Sequence, residues 1–252
     1  MLLSVVIASC NRQNKATDTI KTLIKSGFDE VVIVDDGSIP AYKINIPGCT
    51  VISLTHNNGP SAARNIGARQ SKTEWLIFLD DDDSLAPNLM ERVKLYHDGF
   101  TDDYDIIHFG YRKIDLETKG ILSESLSTIE DPSILTGSWM MRREFFLGLG
   151  GYEEELKYSE NTDLIERALV NGARTLHAGF ISLDYTVGRP KRREEMADRR
   201  ALACLFFIKN RPLCDRNKML KIGLINSWWS KRPSLAIKLL ISYFNAQIAS
   251  NS

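Results

Sequence analysis

Short apolar runs rich in β-branched residues alternate with helical patterns along the first third of the chain. These runs predict strands that are buried on both faces, over Leu2–Ala8, Glu30–Val34, Thr50–Leu54 and Trp75–Leu79. Helices are predicted between them, over Lys15–Lys25 and Ser61–Gln70. Strands and helices in this order predict a parallel sheet with right-handed crossovers. Because ligands of such sheets bind at the carboxyl ends of the strands, we expect the functional residues there.

The second half of the chain has a less regular pattern. It predicts strands over Asp105–Tyr111 and Phe180–Tyr185, and helices over Pro87–His97 and Thr162–Asn171. After Arg189 basic residues surround a short acidic patch, and the rest of the chain has a helical pattern. We therefore expect an α/β domain over residues 1–190, made of the halves 1–83 and 84–190. A helical C-terminal extension is expected over residues 191–252.

The composition is that of a globular protein and excludes several classes. Hydrophobic residues make up 43% of the 252 residues, and the net charge of +0 gives no indication of a nucleic-acid partner. The four cysteines have no paired spacing, which is typical of free thiols in a reducing compartment; they are Cys10, Cys49, Cys204 and Cys214. No apolar run approaches the roughly 18 residues of a membrane span. We expect a cytoplasmic protein.

Three of the predicted strands end in polar clusters. Val34 is followed by Asp35-Asp36-Gly37-Ser38, Leu54 leads to Asn57-Asn58-Gly59-Pro60, and Leu79 is followed by Asp80-Asp81-Asp82-Asp83. Adjacent aspartates raise one another's pKa values and repel, and a divalent cation would offset that cost. Carboxylates suit Mg²⁺ or Mn²⁺, which also bind substrate phosphates. The alternative is that these segments are solvated loops and turns.

Four ordered motifs resemble the N-terminal half of the family 2 glycosyltransferases, which have the GT-A fold. The motifs are SVVIASCNR, VVIVDDGS, NNGPSAARNIGA and WLIFLDDDD, and the resemblance extends over roughly residues 2–172. It implies a mostly parallel central sheet flanked by helices, with the nucleotide-sugar bound by residues 1–83 and the acceptor by residues 84–190. It also implies an inverting transferase that uses a nucleotide-sugar and Mn²⁺ or Mg²⁺.

The resemblance implies a role for individual residues of the donor site. By position, Asp36 would hold the nucleotide base, and Ala8 and Arg64 would line the same pocket. Asp80 and Asp81 would face the ribose and the sugar, and Asp82 would bind the metal. An aspartate at the base suggests uridine, and hence a UDP-sugar, although thymidine shares that edge and guanosine offers comparable donors.

The residue that would act as catalytic base departs from the family pattern. The stretch SENTDLIERALVNGA corresponds to the Glu-Asp motif of the family, but Asn161 stands where the aspartate is usual. Because an amide cannot act as a base, Glu160 and Asp163 are the candidate catalytic residues. We expect Glu160 to be the base, with Asp163 orienting the acceptor or Arg167. Alternatively, both acids stabilise a helix N-terminus that Ser159 or Asn161 caps.

The expected reaction moves a sugar from a nucleotide-diphosphate donor to a saccharide or lipid-linked acceptor, in the synthesis of surface polysaccharide or glycolipid. One alternative is a catalytically impaired protein that binds a nucleotide-sugar, because Asn161 occupies the usual base position. A sugar nucleotidyltransferase is less favoured, because no glycine-rich phosphate loop follows Leu2–Ala8.

The C-terminal extension has two open interpretations. Trp228-Trp229 beside Lys231-Arg232 is typical of a membrane interface, which would place the protein peripherally on the inner face of a membrane. Alternatively, its helices pack on the catalytic domain or form a homodimer contact. Other basic residues, at Arg189, Lys191 and Arg192, would clamp a diphosphate or simply be solvated. We expect His177 to be structural.

Overall fold

The structure is a computed structural model that describes residues 1–99, 103–187, 193–211 and 215–250. It divides into two compact units, described in turn below. The first unit comprises Met1–Glu154 and Asn161–Gly188, and the second comprises Glu155–Glu160 and Arg189–Ser252. The expected boundary at residue 190 lies outside the described residues and stays a prediction.

The first unit contains a nine-stranded sheet. Its strands are β1 (Leu3–Ser9), β2 (Glu30–Asp35), β3 (Cys49–Ser53), β4 (Trp75–Asp80), β5 (Ser84–Leu85), β6 (Ile106–Asp115), β7 (Ile121–Ser125), β8 (Trp139–Arg142) and β9 (Thr175–Val187). Its helices are α1 (Gln13–Lys25), α2 (Pro60–Gln70), α3 (Leu89–Gly99), α4 (Arg143–Gly148) and α5 (Glu160–Val170), whose first residue belongs to the second unit. The predicted α/β class with helices around a central sheet is confirmed.

The strand order is β3-β2-β1-β4-β8-β6-β9-β5, with β7 paired to β6. The first four strands are parallel, so their carboxyl ends share one edge of the sheet. In register, Ala8 lies beside Val34 on one side and beside Asp80 on the other. Strand β8 is antiparallel to both of its neighbours, which leaves β6 and β9 running in the same direction as β4. The polar segments after β1, β2 and β4 therefore meet at this edge.

The sequence pattern does not predict strand β8. It has four residues, Trp-Met-Met-Arg, with no β-branched residue, and it is stabilised by pairing on both sides. Strands β5 and β7 were also missed, since the first has two residues and the second is a largely exposed hairpin partner of β6. Hydrogen bonds and side-chain packing with neighbouring strands stabilise these short strands, although their own sequences have little preference for β-structure.

The continuous apolar strands bury both of their faces, as their pattern predicts. Alternate residues point to opposite faces, so Val5 packs in one core cluster with Ile20 of α1, while Val6 packs in another with Ala68 of α2. Helix α2 lies very close to the sheet, because a Cβ on Gly67 would be 2.4 Å from Cγ1 of Val6. Arg64, one turn before Gly67 on α2, faces Asp80 at the carboxyl end of β4.

The second unit contains three helices, α6 (Arg193–Asn210), α7 (Arg216–Trp229) and α8 (Pro233–Ser250), which confirms the expected helical C-terminal region. Its core includes Ala201, Cys204 and Ile208 of α6 with Leu235 and Leu239 of α8. Within the part of the chain that the structure describes, no helix is both long and apolar enough to cross a membrane.

Candidate active site

The carboxylate of Asp36 is fixed at the carboxyl end of β2. It accepts hydrogen bonds from the backbone N–H groups of Asn58 and Gly59, each at 2.8 Å. The Asn57 side chain donates to the Asp36 carbonyl oxygen at 3.1 Å, and the backbone N–H of Asp36 donates to Ser9. Each carboxylate oxygen can accept a further hydrogen bond, because it has two lone pairs. Asp36 is thus a rigid acceptor at the sheet edge, where the sequence predicted the base pocket.

Asp80, the last residue of β4, is paired with Arg64 of α2. The distance between Arg64 Nη2 and Asp80 Oδ1 is 2.5 Å, and Arg64 is buried. The guanidinium also lies over the ring of Tyr152, 5.4 Å from its centroid. Ala8, half-buried at the end of β1, is the neighbour of Asp80 in register. The structure therefore groups Ala8, Arg64 and Asp80 in one part of the edge.

Asp81 and Asp82 face basic residues that the sequence interpretation did not assign. Arg12, just before α1, donates to Asp81 Oδ1 at 2.7 Å and to Asp82 Oδ2 at 3.1 Å. Lys15 Nζ lies 3.9 Å from the same oxygen of Asp82. The hydrogen bond from Arg12 to Asp81 raises the pKa of the guanidinium. The available signal was the position of Arg12, three residues beyond β1 at the edge where the aspartates lie.

Asp83 has a different environment from the three aspartates before it. Its side chain is buried, and one carboxylate oxygen accepts the backbone N–H of Thr186 in β9 at 2.8 Å. Burial raises the pKa of Asp83 to about 8, with the nearby charges of Asp80 and Asp82 adding to the shift. Asp83 therefore joins the loop after β4 to the end of β9 and is mostly protonated at neutral pH.

The repulsion expected among the four aspartates is offset largely by the protein itself. Arg64, Arg12 and Lys15 face the first three, and Asp83 takes up a proton. Among the described residues, no three His, Cys, Asp or Glu side chains are placed together to hold a metal ion. The Asp82 side chain is nearly half exposed, with Arg12 and Lys15 near one of its two carboxylate oxygens. A single exposed carboxylate fits Mg²⁺ or Mn²⁺ sites in which substrate phosphates and water complete the coordination.

Asn161, at the usual position of the base, is hydrogen-bonded to its neighbours in the fold. Its side-chain oxygen accepts the Tyr152 hydroxyl at 3.0 Å, and its amide donates to Thr136 Oγ1 at 3.1 Å. Since Tyr152 also contacts Arg64, contacts run from Asp80 through Arg64 and Tyr152 to Asn161. The start of α5 is thereby connected to the aspartates after β4.

The two candidate acids of α5 have different environments. Asp163 is fully buried, and Oδ2 accepts from Arg167 Nε at 2.8 Å. Arg167 also donates to the carbonyl oxygens of Leu149 and Gly151, which fixes the turn after α4. Glu160 is the first residue of the helix and is half-buried. Asp163 has the contacts of a positioning residue, and the more accessible acid is Glu160.

Of the other residues named in the sequence analysis, some lie within the described structure and some lie outside it. His177 stacks on His108 with the ring centroids 5.0 Å apart, and burial lowers the pKa of His108 to about 4. These contacts lie within the sheet and support a structural role. The expected diphosphate clamp of Arg189, Lys191 and Arg192 lies outside the described residues, as does Cys214.

A sequence model of the family described as glycosyl transferase family 2 matches residues 4–149 of the chain. The chain belongs to this family. The matched region contains Asp36, Arg64 and the aspartates after β4, so the resemblance seen in the motifs is confirmed. Members of glycosyl transferase family 2 generally use a divalent cation.

Curated relatives include bacterial proteins of polysaccharide synthesis. An uncharacterized glycosyltransferase of Haemophilus influenzae is 29% identical over 218 residues, which cover 78% of this chain and 72% of the relative. The succinoglycan biosynthesis protein ExoO of Rhizobium meliloti is 28% identical over 178 residues, covering 64% of this chain and 50% of ExoO. The chain thus spans about half the length of ExoO.

Solved structures with the same fold include S. aureus TarS. The TarS fragment 1–349 superposes with a TM-score of 0.63 at 19% identity, covering 98% of this chain and 81% of the fragment. The same fragment in complex with UDP-GlcNAc superposes with a TM-score of 0.62 at 18% identity, covering 98% and 79%. At this identity the similarity establishes the GT-A fold of the chain.

Proposed function

We propose that the protein is an inverting glycosyltransferase that moves a sugar from a UDP-sugar to a saccharide or lipid-linked acceptor. The observation that carries the proposal is the fixed carboxylate of Asp36, at the same sheet edge as Asp80, Asp81 and Asp82. The relationship to ExoO supports a role in surface polysaccharide or glycolipid synthesis.

In this proposal the donor lies along the carboxyl ends of β1, β2 and β4. The Asp36 carboxylate accepts a hydrogen bond from the imino N–H of uracil. The small side chain of Ala8 leaves room for the base, and Arg64 holds the Asp80 carboxylate in place. Asp80 and Asp81 accept hydrogen bonds from hydroxyl groups of the ribose and the sugar. Complexes of TarS with UDP and UDP-GlcNAc support a uridine donor, because they show that this fold accommodates one.

Asp82 would hold Mn²⁺ or Mg²⁺ together with the diphosphate of the donor. The cation would supply positive charge that stabilises the departing nucleoside diphosphate. Arg12 and Lys15 face the same carboxylate, so they would compete with the cation for Asp82 and can also attract the diphosphate.

Glu160 is the proposed base. It takes the proton of the acceptor hydroxyl while the hydroxyl oxygen attacks the anomeric carbon and the bond to the diphosphate breaks, which inverts the configuration. Asn161 cannot take the proton, and the Asp163 carboxylate is paired with Arg167 inside the fold. Asp163 is therefore proposed to position α5 through Arg167.

The donor site is tested by UDP release from a panel of UDP-sugars, with Mn²⁺ and with EDTA. EDTA should abolish release and excess Mn²⁺ should restore it. Asp82→Asn should lower release at least about a hundredfold, because the metal ligand is lost. Asp18→Asn, the same change at an exposed position on α1, should be neutral. Full activity of Asp82→Asn in EDTA would overturn the metal assignment.

The base is tested by UDP release that saccharide and lipid-linked acceptors stimulate. Glu160→Gln should lower this rate about 10²–10⁴-fold with unchanged donor affinity, the usual contribution of a general base. Glu166→Gln, at an exposed position of the same helix, is the matched control. If the wild-type protein binds UDP-sugars but no acceptor stimulates UDP release, the result would instead support the alternative that the protein is a catalytically impaired nucleotide-sugar-binding protein.

A further inference from the structure

Helix α8 has an apolar stripe that none of the described residues of the second unit covers. Its exposed large side chains are Ile237, Leu240, Ile241, Phe244 and Ile248. Residues three and four positions apart share one face of a helix, so these five side chains form a single stripe. The opposite face packs through Leu235 and Leu239 into the core of the unit. Contiguous exposed apolar side chains are typical of interaction surfaces in soluble proteins.

Helix α7 has an exposed face that combines basic and aromatic residues. Lys218, Lys221, Ile225 and Trp228 follow one another at spacings of three and four residues, and all four are exposed. Trp228 is 80% exposed. An indole at this exposure is unusual for a side chain that packs within a fold, and it is typical of residues at a membrane interface.

The charged side chains of α7, α8 and the residues that follow them are all positive. Residues 216–252 contain six basic side chains and no Asp or Glu, although the whole chain has a net charge of +0. Arg232 is paired with Asp198 of α6 at 3.2 Å. Lys218 and Lys221 on α7 and Lys238 beside the α8 stripe are exposed. The apolar surfaces therefore lie among positive charges.

We propose that the exposed faces of α7 and α8 bind the surface of an anionic lipid bilayer. The α8 stripe and Trp228 would enter the boundary between headgroups and acyl chains, while Lys218, Lys221 and Lys238 contact acidic headgroups. Charge decides between this occupant and a second copy of the chain. Two copies paired through the same faces would bring like charges together without any acidic partner, whereas an anionic membrane complements them.

The α7–α8 turn adds a second feature that suits a lipid surface. A cavity of about 710 Å³ opens there between Trp228 and Trp229 of α7 and Pro233 and Ala236 of α8, with Lys231 at its rim. An apolar recess with a basic rim matches the two chemical parts of an acidic phospholipid. This surface is independent of the proposed reaction, because none of its residues belongs to the donor site or to the candidate base.

The test is cosedimentation of the full chain with phosphatidylcholine vesicles, with and without phosphatidylglycerol. We expect binding to the acidic vesicles that weakens in high salt, and much weaker binding to phosphatidylcholine alone. Leu240→Asp and Phe244→Asp should each lower partitioning roughly tenfold or more relative to the control, since an apolar anchor is lost. Lys238→Gln should lower it roughly fivefold.

Leu202→Asp is the matched control. Leu202 is 44% exposed on α6 and Leu240 is 38% exposed on α8, so both variants make the same change at similar exposure. Equal partitioning of these two variants, or no binding of the wild type to acidic vesicles, would overturn the proposal. A wild-type dimer in sedimentation analysis that Leu240→Asp converts to a monomer would instead identify a second copy as the occupant. Because no donor or acceptor is present, these results do not depend on catalysis.

Discussion

At the scale of single residues, four consecutive aspartates have four different environments. Asp80 faces Arg64, Asp81 accepts from Ser9 and Arg12, Asp82 is nearly half exposed, and Asp83 is buried beside Thr186. Identical side chains thus acquire different contacts and exposure from their surroundings. The same holds in α5, where Asp163 is inside the fold and Glu160 is accessible.

The protonation of Asp83 predicts a pH-dependent stability. Its folded pKa of about 8 lies above the ordinary value for aspartate, so the folded chain keeps a proton that the unfolded chain releases. This contribution to stability is fully present below the unfolded pKa and is lost as pH rises to about 8, at up to about 1.4 kcal/mol per pH unit. Asp83→Asn keeps the acceptor for Thr186 but cannot titrate.

We therefore expect the free energy of unfolding of Asp83→Asn to fall less than that of wild type between about pH 5 and 8. Urea denaturation in EDTA measures this without the influence of a metal. Asp131→Asn, at an exposed position, is the control and should follow wild type. Parallel curves for Asp83→Asn and wild type would show that Asp83 is ionised in the fold.

The ion pair of Asp163 predicts a loss of stability rather than of chemistry. Asp163→Asn removes a buried charge that Arg167 faces, and we expect it to lower the free energy of unfolding by about 1–3 kcal/mol. Its transfer rate should fall less than that of Glu160→Gln. Unchanged stability combined with abolished transfer would instead make Asp163 a catalytic residue.

At the scale of elements, the site depends on how closely α2 approaches the sheet. Gly67 permits this approach, because a Cβ there would meet Val6 at 2.4 Å and Val34 at 3.3 Å. Both contacts are with short, branched side chains inside the sheet, which cannot move aside. Arg64 lies one turn earlier on the same helix and faces Asp80. A displaced helix would therefore change the proposed donor site as well as the core.

Gly67→Ala should lower the free energy of unfolding by about 1–3 kcal/mol, the usual effect of overpacking, despite the better helix propensity of alanine. Gly148→Ala is the control, since a Cβ at Gly148 meets nothing within 4 Å. Urea denaturation of both variants measures the difference. If Gly67→Ala is as stable as Gly148→Ala, the close approach does not constrain α2.

At the scale of the whole molecule, binding of the donor nucleotide should stabilise the fold. With Mn²⁺, UDP at a hundredfold excess over its Kd should add about 2.7 kcal/mol to the free energy of unfolding. TDP and GDP should give smaller increases, and uridine without phosphate should give little. Thermal unfolding with each nucleotide measures this order, and a larger shift with GDP would assign the donor to guanosine.

Much of the fold and part of the site could be predicted from local sequence. Continuous apolar runs such as Val31–Val34 identify buried strands, and their alternation with helices dictates parallel pairing. Parallel strands end at a common edge, so the positions of Asp36 and Asp80 follow from the chain order alone. The motifs were specific enough to indicate glycosyl transferase family 2, because each combines a strand with the polar residues at its end.

Tertiary structure alone decided which partner each polar residue has. Arg12 meets Asp81 across 69 positions of sequence, and Thr186 meets Asp83 across 103. Strand β8 likewise exists because β4 and β6 flank it. Local patterns record whether a residue is buried and in which element it lies. Charge pairing, desolvation and the pKa of Asp83 depend on distances between distant segments, and those distances are set when the helices pack on the completed sheet.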